Sequence, residues 1–550
     1  MSKNVAAQIS DELVGPIKKV LSAAYRTTEG TDQAVIDRFI EPRVGLLDQL
    51  MSGANHLIEG RRGTGKSTVL QVLRQRALDA SIPVAFVDME KHKHRNYPDV
   101  LVELLIDVLN ELKPEVPWWA VIGERRTVKT EFNRVIRELN LILSDPESIN
   151  REVKRSGNTS KGFKATATAS GNGAISGSAS ASGEAAQEWA ETGTLAYTKI
   201  QRLRDLAPRL SRMLSTLVKA TPAEKSIIFI DDFYYINTND QPHVLDYLHQ
   251  VCKGTSVWIK ICGVGSRIRP YADGNPPVGM EPGNDVIRLS LDVTLENFVT
   301  AKRFLEQVME GILAPLKLDI NSILTSGARD RIILASGGAV ARDYINLVDD
   351  ALDIALQEAI QGSPRKTQGA SSFRIGTEDI MQAASRRLDK KEEEDLATDA
   401  HENYSALRVR WNHIRKFSQS RDNTKFVLFK QEDLGQTAWG AEVQQLLNLR
   451  LLHRIATAVP NTSGWRGIKT VVVMIDLANS ARQRLNQDVI PFWTKQAEMD
   501  RLRRAEWVYT PDFDADEAAE SDSQPKEREA PARRQRTSKQ SPGQSSLFDE

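Results

Sequence analysis

The sequence predicts an α/β protein: a P-loop αβα sandwich with a parallel sheet, then a helical lid, a C-terminal winged helix and a disordered tail. Three observations predict it. The stretch Gly60-Arg61-Arg62-Gly63-Thr64-Gly65-Lys66-Ser67 has the P-loop spacing, between a short apolar run and a helical one. Ser226-Ile-Ile-Phe-Ile-Asp231-Asp232 reads as a buried strand ending in two acids. After Thr294 the apolar period becomes helical, and two alternating runs close the ordered part of the chain.

The totals bound the rest. A chain of 550 residues holds about three or four domains. Lys and Arg number 73, as do Asp and Glu, so no global basic field draws in nucleic acid, and any such contact must be a local patch. Cys252 and Cys262 are the only cysteines, which argues against a disulfide scaffold and for a reducing compartment. The first residues lack a signal-peptide pattern, and no apolar run approaches the ~20 residues of a membrane span. The expectation is a cytoplasmic protein without membrane contact.

In chain order, residues 1–54 read as a helical lead-in, with Phe39 to Arg43 entering the nucleotide fold. His56-Leu57-Ile58 is the strand before the loop. Gly60, Gly63 and Gly65 let backbone N–H groups turn toward a polyphosphate, and Thr64 and Thr68 belong to the same cradle. Lys66 would reach the terminal phosphates, and the Ser67 hydroxyl would hold Mg2+. The helix that follows points its positive end at the same place. Ile82 to Asp88 is a second strand. His92 and His94 follow in a loop, read as solvated, with a metal pair as the sharper alternative.

Residues 97–219 form a long insertion. Its Ala/Ser/Gly-rich stretch 157–186 reads either as a flexible linker or as a protruding hairpin around Asn172-Gly173. A helix from about Thr194 to Lys219 returns to the core. Asp231 would hold the Mg2+, and Asp232 sits where a carboxylate polarises an attacking water. The run 257–262 is another strand, tipped by Ser266, Arg267 and Arg269. Ser266 is a candidate phosphate sensor. The arginines are either a finger for a neighbouring subunit or ordinary solvated residues. Residues 286–291 complete the sheet and the base, 55–293.

The lid spans 294–395. Gly337 and Gly338 precede a helix with Arg342 in its first turn, where the helix dipole disfavours a cation, so an anion should want it. Residues 396–510 read as helix, helix, strand, exposed tip, strand, a winged helix. Arg450, Arg454, Arg466 and Lys469 could meet DNA phosphates, with protein contact as the alternative. Residues 511–550 are disordered by composition and end in Gln544-Ser545-Ser546-Leu547-Phe548.

Together Gly60 to Thr68, Ile227 to Asp232, Ser266-Arg267, Gly337-Gly338 with Arg342, and the trailing winged helix resemble the AAA+ ATPases. Within them they resemble the origin-recognition and initiator-like branch, over roughly residues 36–504. The resemblance implies ATP and Mg2+ between base and lid, often at a subunit junction in a self-oligomer. It implies Ser266 as the first sensor and Arg342 as the second. Members load onto or remodel DNA, and bacterial relatives occur in mobile elements and antiphage systems. Two features depart from the pattern: the long gap between the phosphate loop and the acid-tipped strand, and Asp232 in place of glutamate. The latter is also typical of STAND-class signalling ATPases and suggests slow hydrolysis. Gln544, Leu547 and Phe548 are similar to the peptides that bind the bacterial sliding clamp. The expected function is an ATP-dependent switch on DNA. The alternative is a signalling scaffold that oligomerises and recruits an effector without DNA.

Overall fold

The computed structural model describes residues 9–24, 33, 36, 38–115, 124–144, 179–360, 372–390, 404–421, 424–460, 468–477 and 489–512, without the side chains of 11, 124–125, 179–198, 266, 372, 388–390 and 458–460. Five strands make one parallel sheet: β1 (His56–Glu59), β2 (Val84–Asp88), β3 (Ser226–Asp231), β4 (Val257–Gly263) and β5 (Ile287–Ser290). Their order across the sheet is β2-β3-β4-β1-β5. The fold is α/β, as the sequence predicts.

After an opening helix α1 (Asp11–Ala23), the helices that cover the sheet are α2 (Lys66–Asp79), α3 (Asp99–Leu112), α4 (Glu124–Leu143), α5 (Ala179–Lys219) and α6 (Gln241–Cys252). Alternation along the strands serves both faces. Ile228 and Ile230 of β3 join the core with α3, α4, α5 and α6, while Ile227 and Phe229 join the core with α2 and Leu46–Leu50. Burial on both sides is why these strands read as unbroken apolar runs.

The insertion differs from expectation. A second hairpin strand at 178–182 is not formed, since α5 begins at Ala179 and runs to Lys219. Once Leu203 to Val218 are packed in the core, the helix is nucleated, and extending it backward adds one hydrogen bond per residue fixed. Residues 157–178, the rest of the Ala/Ser/Gly-rich stretch, lie outside the described residues.

The bundle that follows contains α7 (Phe298–Leu313), α8 (Ser326–Ala335), α9 (Ala341–Ile360) and α10 (Thr377–Lys390). The expected lead-in divides between two bodies. Val14, Ile17 and Leu21 of α1 pack into the bundle core with Leu305 and Leu352, and Ile9–Ser10 pairs with Ser372–Phe373. Leu46, Leu47 and Leu50 pack on the sheet instead.

The last unit runs α11 (Tyr404–Ser420), β6 (Phe426–Lys430), α12 (Gln431–Gln436), α13 (Ala438–Asn448), β7 (Leu452–Pro460) and β8 (Lys469–Ile475). Its antiparallel sheet has the order β6-β8-β7. Both faces of that sheet are buried. Val427, Phe429, Val471 and Val473 pack on the unit's own helices, whereas Phe426, Leu428, Val472 and Met474 share the bundle's core. Phe298 of α7 stacks on Trp493 at 4.2 Å between centroids, closing the same seam. The tip with Arg466, and the tail with Gln544, Leu547 and Phe548, lie outside the described residues.

His92 corrects the solvated-loop reading. Its ring nitrogens sit 2.8 Å from Glu103 and 2.9 Å from Asp107, both on α3. Those two bonds, led by the one to Asp107, raise its pKa from 6.5 to about 9 against the effect of burial. A proton held more tightly in the folded chain stabilises it fully below the unfolded value and is lost as pH rises through the folded one. Thermal melts should therefore show stability falling between pH 6.5 and 9, and His92→Ala should remove that part of the pH dependence.

Candidate functional site at the sheet and bundle junction

The loop between β1 and α2 turns on Gly63 and Gly65, at φ +85° and +90°, a region glycine enters without a Cβ clash. Lys66 is buried, and its Nζ donates to the carbonyls of Gly60 and Arg61, both at 3.0 Å. Burial lowers its pKa, and the nearby charges of Asp232 and Asp231 oppose that. The Thr64 hydroxyl donates to the Arg61 carbonyl at 2.9 Å, tightening the turn.

Asp231 ends β3 and is buried. The Ser67 hydroxyl donates to its carboxylate, as does the Asp232 backbone N–H at 2.9 Å. Burial raises the Asp231 pKa, and those bonds pull it back. Asp232 has φ +49°, a left-handed turn uncommon for a residue with a Cβ. Burial first, and the Asp231 charge second, push its carboxyl up to about 6. Parallel pairing sets Asp88 of β2 beside Asp231. Asp88, Glu90, Asp231 and Asp232 thus line one cleft with Lys66, Ser67 and Thr68. Asp88 and Glu90 were missed in the sequence. The clue was that Asp88 ends the second strand as Asp231 ends the third.

The cleft has a volume of about 700 Å³ and continues into an apolar end. Ala23 of α1, Phe39, Ile40, and Phe304, Val308 and Ile345 of the bundle line that end. Its size suits a nucleotide-sized ligand. The oxygen-only set of Ser67, Asp231 and Asp232 suits a hard divalent cation, and a buried carboxylate whose charge is disfavoured is one such a cation would relieve.

The bundle closes directly on the loop. The Arg342 N–H donates to the Gly63 carbonyl at 3.1 Å, and Arg342 lines the cleft. Arg61 donates to the carbonyls of Val293, Gly337 and Gly338, each at 3.0 Å, while its own N–H is received by Asp292 at 2.9 Å. No sequence signal marked Arg61.

The strand tip follows β4. Ser266 falls in the turn Gly265–Arg267 after β4. Among the described residues, Arg62 and Arg342 line the cleft, but Arg267 and Arg269 do not. The Arg267 guanidinium lies 5.8 Å from the centre of the Tyr234 ring, which Arg62 also approaches, at 6.0 Å.

The expected DNA-facing set needs correction. Arg450 is turned inward, bonded to Asp343 of α9 at 2.8 Å, and its side chain is 11% exposed, so it offers no cation to a phosphate backbone. Arg454 is half-buried, 3.4 Å from Gln444. Lys469 is exposed at the start of β8.

Sheet order, loop and strand-end acids define the class: a parallel α/β P-loop fold with a helical bundle docked over its cleft. Among solved structures, the chain is similar to the ORC1 protein of Aeropyrum pernix in complex with DNA, at 14% identity over 82% of this chain and 94% of that one, with a TM-score of 0.31. It is similar to Cdc6p of Pyrobaculum aerophilum at 11% identity, over 90% of this chain and all of that one, again with a TM-score of 0.31. No protein-family model and no curated protein matches the chain.

A Cβ on Gly63 would stand 2.8 Å from the Arg342 Cβ, in a left-handed backbone conformation. Gly63→Ala should therefore loosen the bundle from the loop and cost more than about 1 kcal/mol. Denaturant unfolding, with limited proteolysis near residue 340, would show it.

Proposed function

We propose that the chain is a Mg2+-dependent ATP-binding switch of the AAA+ type, slow in hydrolysis, that acts on DNA. The observation that carries the nucleotide part is the convergence of Lys66, the Ser67–Asp231 hydrogen bond, Asp232 and Arg342 on one cleft. Gly60, Gly63, Thr64, Gly65 and Thr68 would cradle the phosphates. Ser67 and Asp231 would hold Mg2+, which would supply neutralisation of phosphate charge. Asp232 accepts the proton of the attacking water, and Arg342 meets the γ-phosphate from the bundle. The apolar end takes the base.

The DNA part is supported by the helix-strand-helix-helix-strand-strand order of the last unit, that of a winged helix. Lys469, and Arg466 on the tip, are its remaining candidate contacts. Ser266 and Arg267 are proposed as a phosphate sensor and as a finger for a neighbouring copy in an oligomer. Gln544, Leu547 and Phe548 are proposed as a sliding-clamp docking peptide. Service in mobile elements or antiphage defence belongs to the same reading. A second reading, a signalling scaffold without DNA, is favoured by one observation: Arg450 serves an internal contact instead of a DNA face.

Three outcomes test the reading. Lys66→Ala should abolish ATP binding, and Asp232→Asn should bind ATP but turn it over at least 100-fold more slowly; retained affinity in Lys66→Ala ends the nucleotide assignment. The hydrolysis rate should fall as pH drops through about 6, since Asp232 must be ionised to act, and bound Mg2+ moves that point lower. Mobility shifts with duplex DNA should weaken with salt, strengthen with ATP, and weaken in Arg466→Ala and Lys469→Ala. No shift at low salt, with ATP-driven oligomers still forming, would favour the scaffold.

A further inference from the structure

We infer that Arg450 is a positioning residue through which the C-terminal unit and the polyphosphate cleft respond to each other; this rests on reading the P-loop as a polyphosphate site. Arg450 lies just past α13. The Leu451 N–H donates to the Leu446 carbonyl at 3.1 Å and the Arg450 N–H to the Leu447 carbonyl at 3.2 Å. This is the helix-ending pattern whose left-handed position is usually glycine. The chain has arginine there, at φ +64°. A strained backbone persists where its surroundings over-determine it, and here the surroundings are three bodies at once.

The Arg450 guanidinium bonds to Asp343 at 2.8 Å and lies 3.5 Å from the Arg62 carbonyl of the phosphate loop. Asp343 is in the first turn of α9, beside Arg342, whose N–H holds the Gly63 carbonyl. One side chain therefore touches the end of the C-terminal helix, the bundle helix that carries Arg342, and the loop backbone. The partners are 11% and 13% exposed, so solvent screens the pair little. The turn before α9 is built for close approach. A Cβ on Gly337 would meet Asp343 at 2.4 Å, and one on Gly338 would meet His453 of β7 at 2.6 Å. His453 is in turn fixed by Asp476 at 2.8 Å, with both residues buried.

Neighbouring carbonyls of the same loop report on the cleft. Lys66 Nζ holds those of Gly60 and Arg61. A polyphosphate that draws Lys66 outward frees them, and the adjoining Arg62 carbonyl moves relative to Arg450. Coupling of this kind is reciprocal: what the nucleotide does to the C-terminal unit, that unit does to nucleotide affinity.

The test uses the full chain, with Mg-ATP as probe, and two readouts: equilibrium ATP affinity, and ATP-dependent protection of residues 404–512 from protease. Arg450→Gly relieves the left-handed strain but strands the Asp343 carboxylate, two opposed effects on melting, and both readouts are taken well below its melting temperature. It should bind Mg-ATP about tenfold more weakly and lose the ATP dependence of protection. Arg450→Lys should keep most of both. Asp343→Asn should weaken both, and adding it to Arg450→Gly should change little more. Parent-like affinity and protection in Arg450→Gly would overturn the inference while leaving the nucleotide site standing. A parent chain without Lys66-dependent ATP binding would overturn the polyphosphate reading and this inference with it.

Discussion

The arrangement depends on one constraint: the loop between β1 and α2 is held from behind by the bundle. The Arg61 side chain is only 13% exposed and donates to the carbonyls at 293, 337 and 338, and the Gly63 carbonyl is held by the Arg342 N–H. A buried guanidinium needs its donors satisfied, because an unpaired buried charge is costly. Asp292 and the Val293 carbonyl come from the base, but the Gly337 and Gly338 carbonyls are supplied only when bundle and loop are docked. Separating the two bodies strands Arg61, so loop shape and bundle position are one variable.

The docking continues outward. The C-terminal sheet contributes Phe426, Leu428, Val472 and Met474 to the bundle's core, and Phe298 stacks on Trp493. Two units sharing one dry core move together more readily than they separate. A shift of the loop before α2 is therefore well placed to reach the distal unit through packed side chains and the Arg450–Asp343 pair.

The acidic end of the cleft follows from elementary electrostatics. Parallel pairing puts Asp88 beside Asp231, and the left-handed turn at Asp232 adds a third carboxylate. Like charges in a buried place resist ionisation, which is why Asp232 is pushed up to about 6. Lys66 alone is a poor match for that many acids. The divalent cation proposed above would relieve that repulsion.

By itself the sequence determined the local chemistry. Glycine spacing, the lysine and serine that follow, and apolar runs ending in acids are properties of short stretches, and the sheet, the loop and the Asp231–Asp232 pair were legible there. It did not determine what lies across space. That α1 belongs to the bundle, that α5 starts at Ala179, that His92 is clamped by Glu103 and Asp107, and that Arg450 faces Asp343 instead of solvent are all contacts between distant residues. An arginine in a polar loop reads the same whether it meets water, a phosphate or a buried carboxylate. Burial and partners choose among these, and only tertiary packing supplies them.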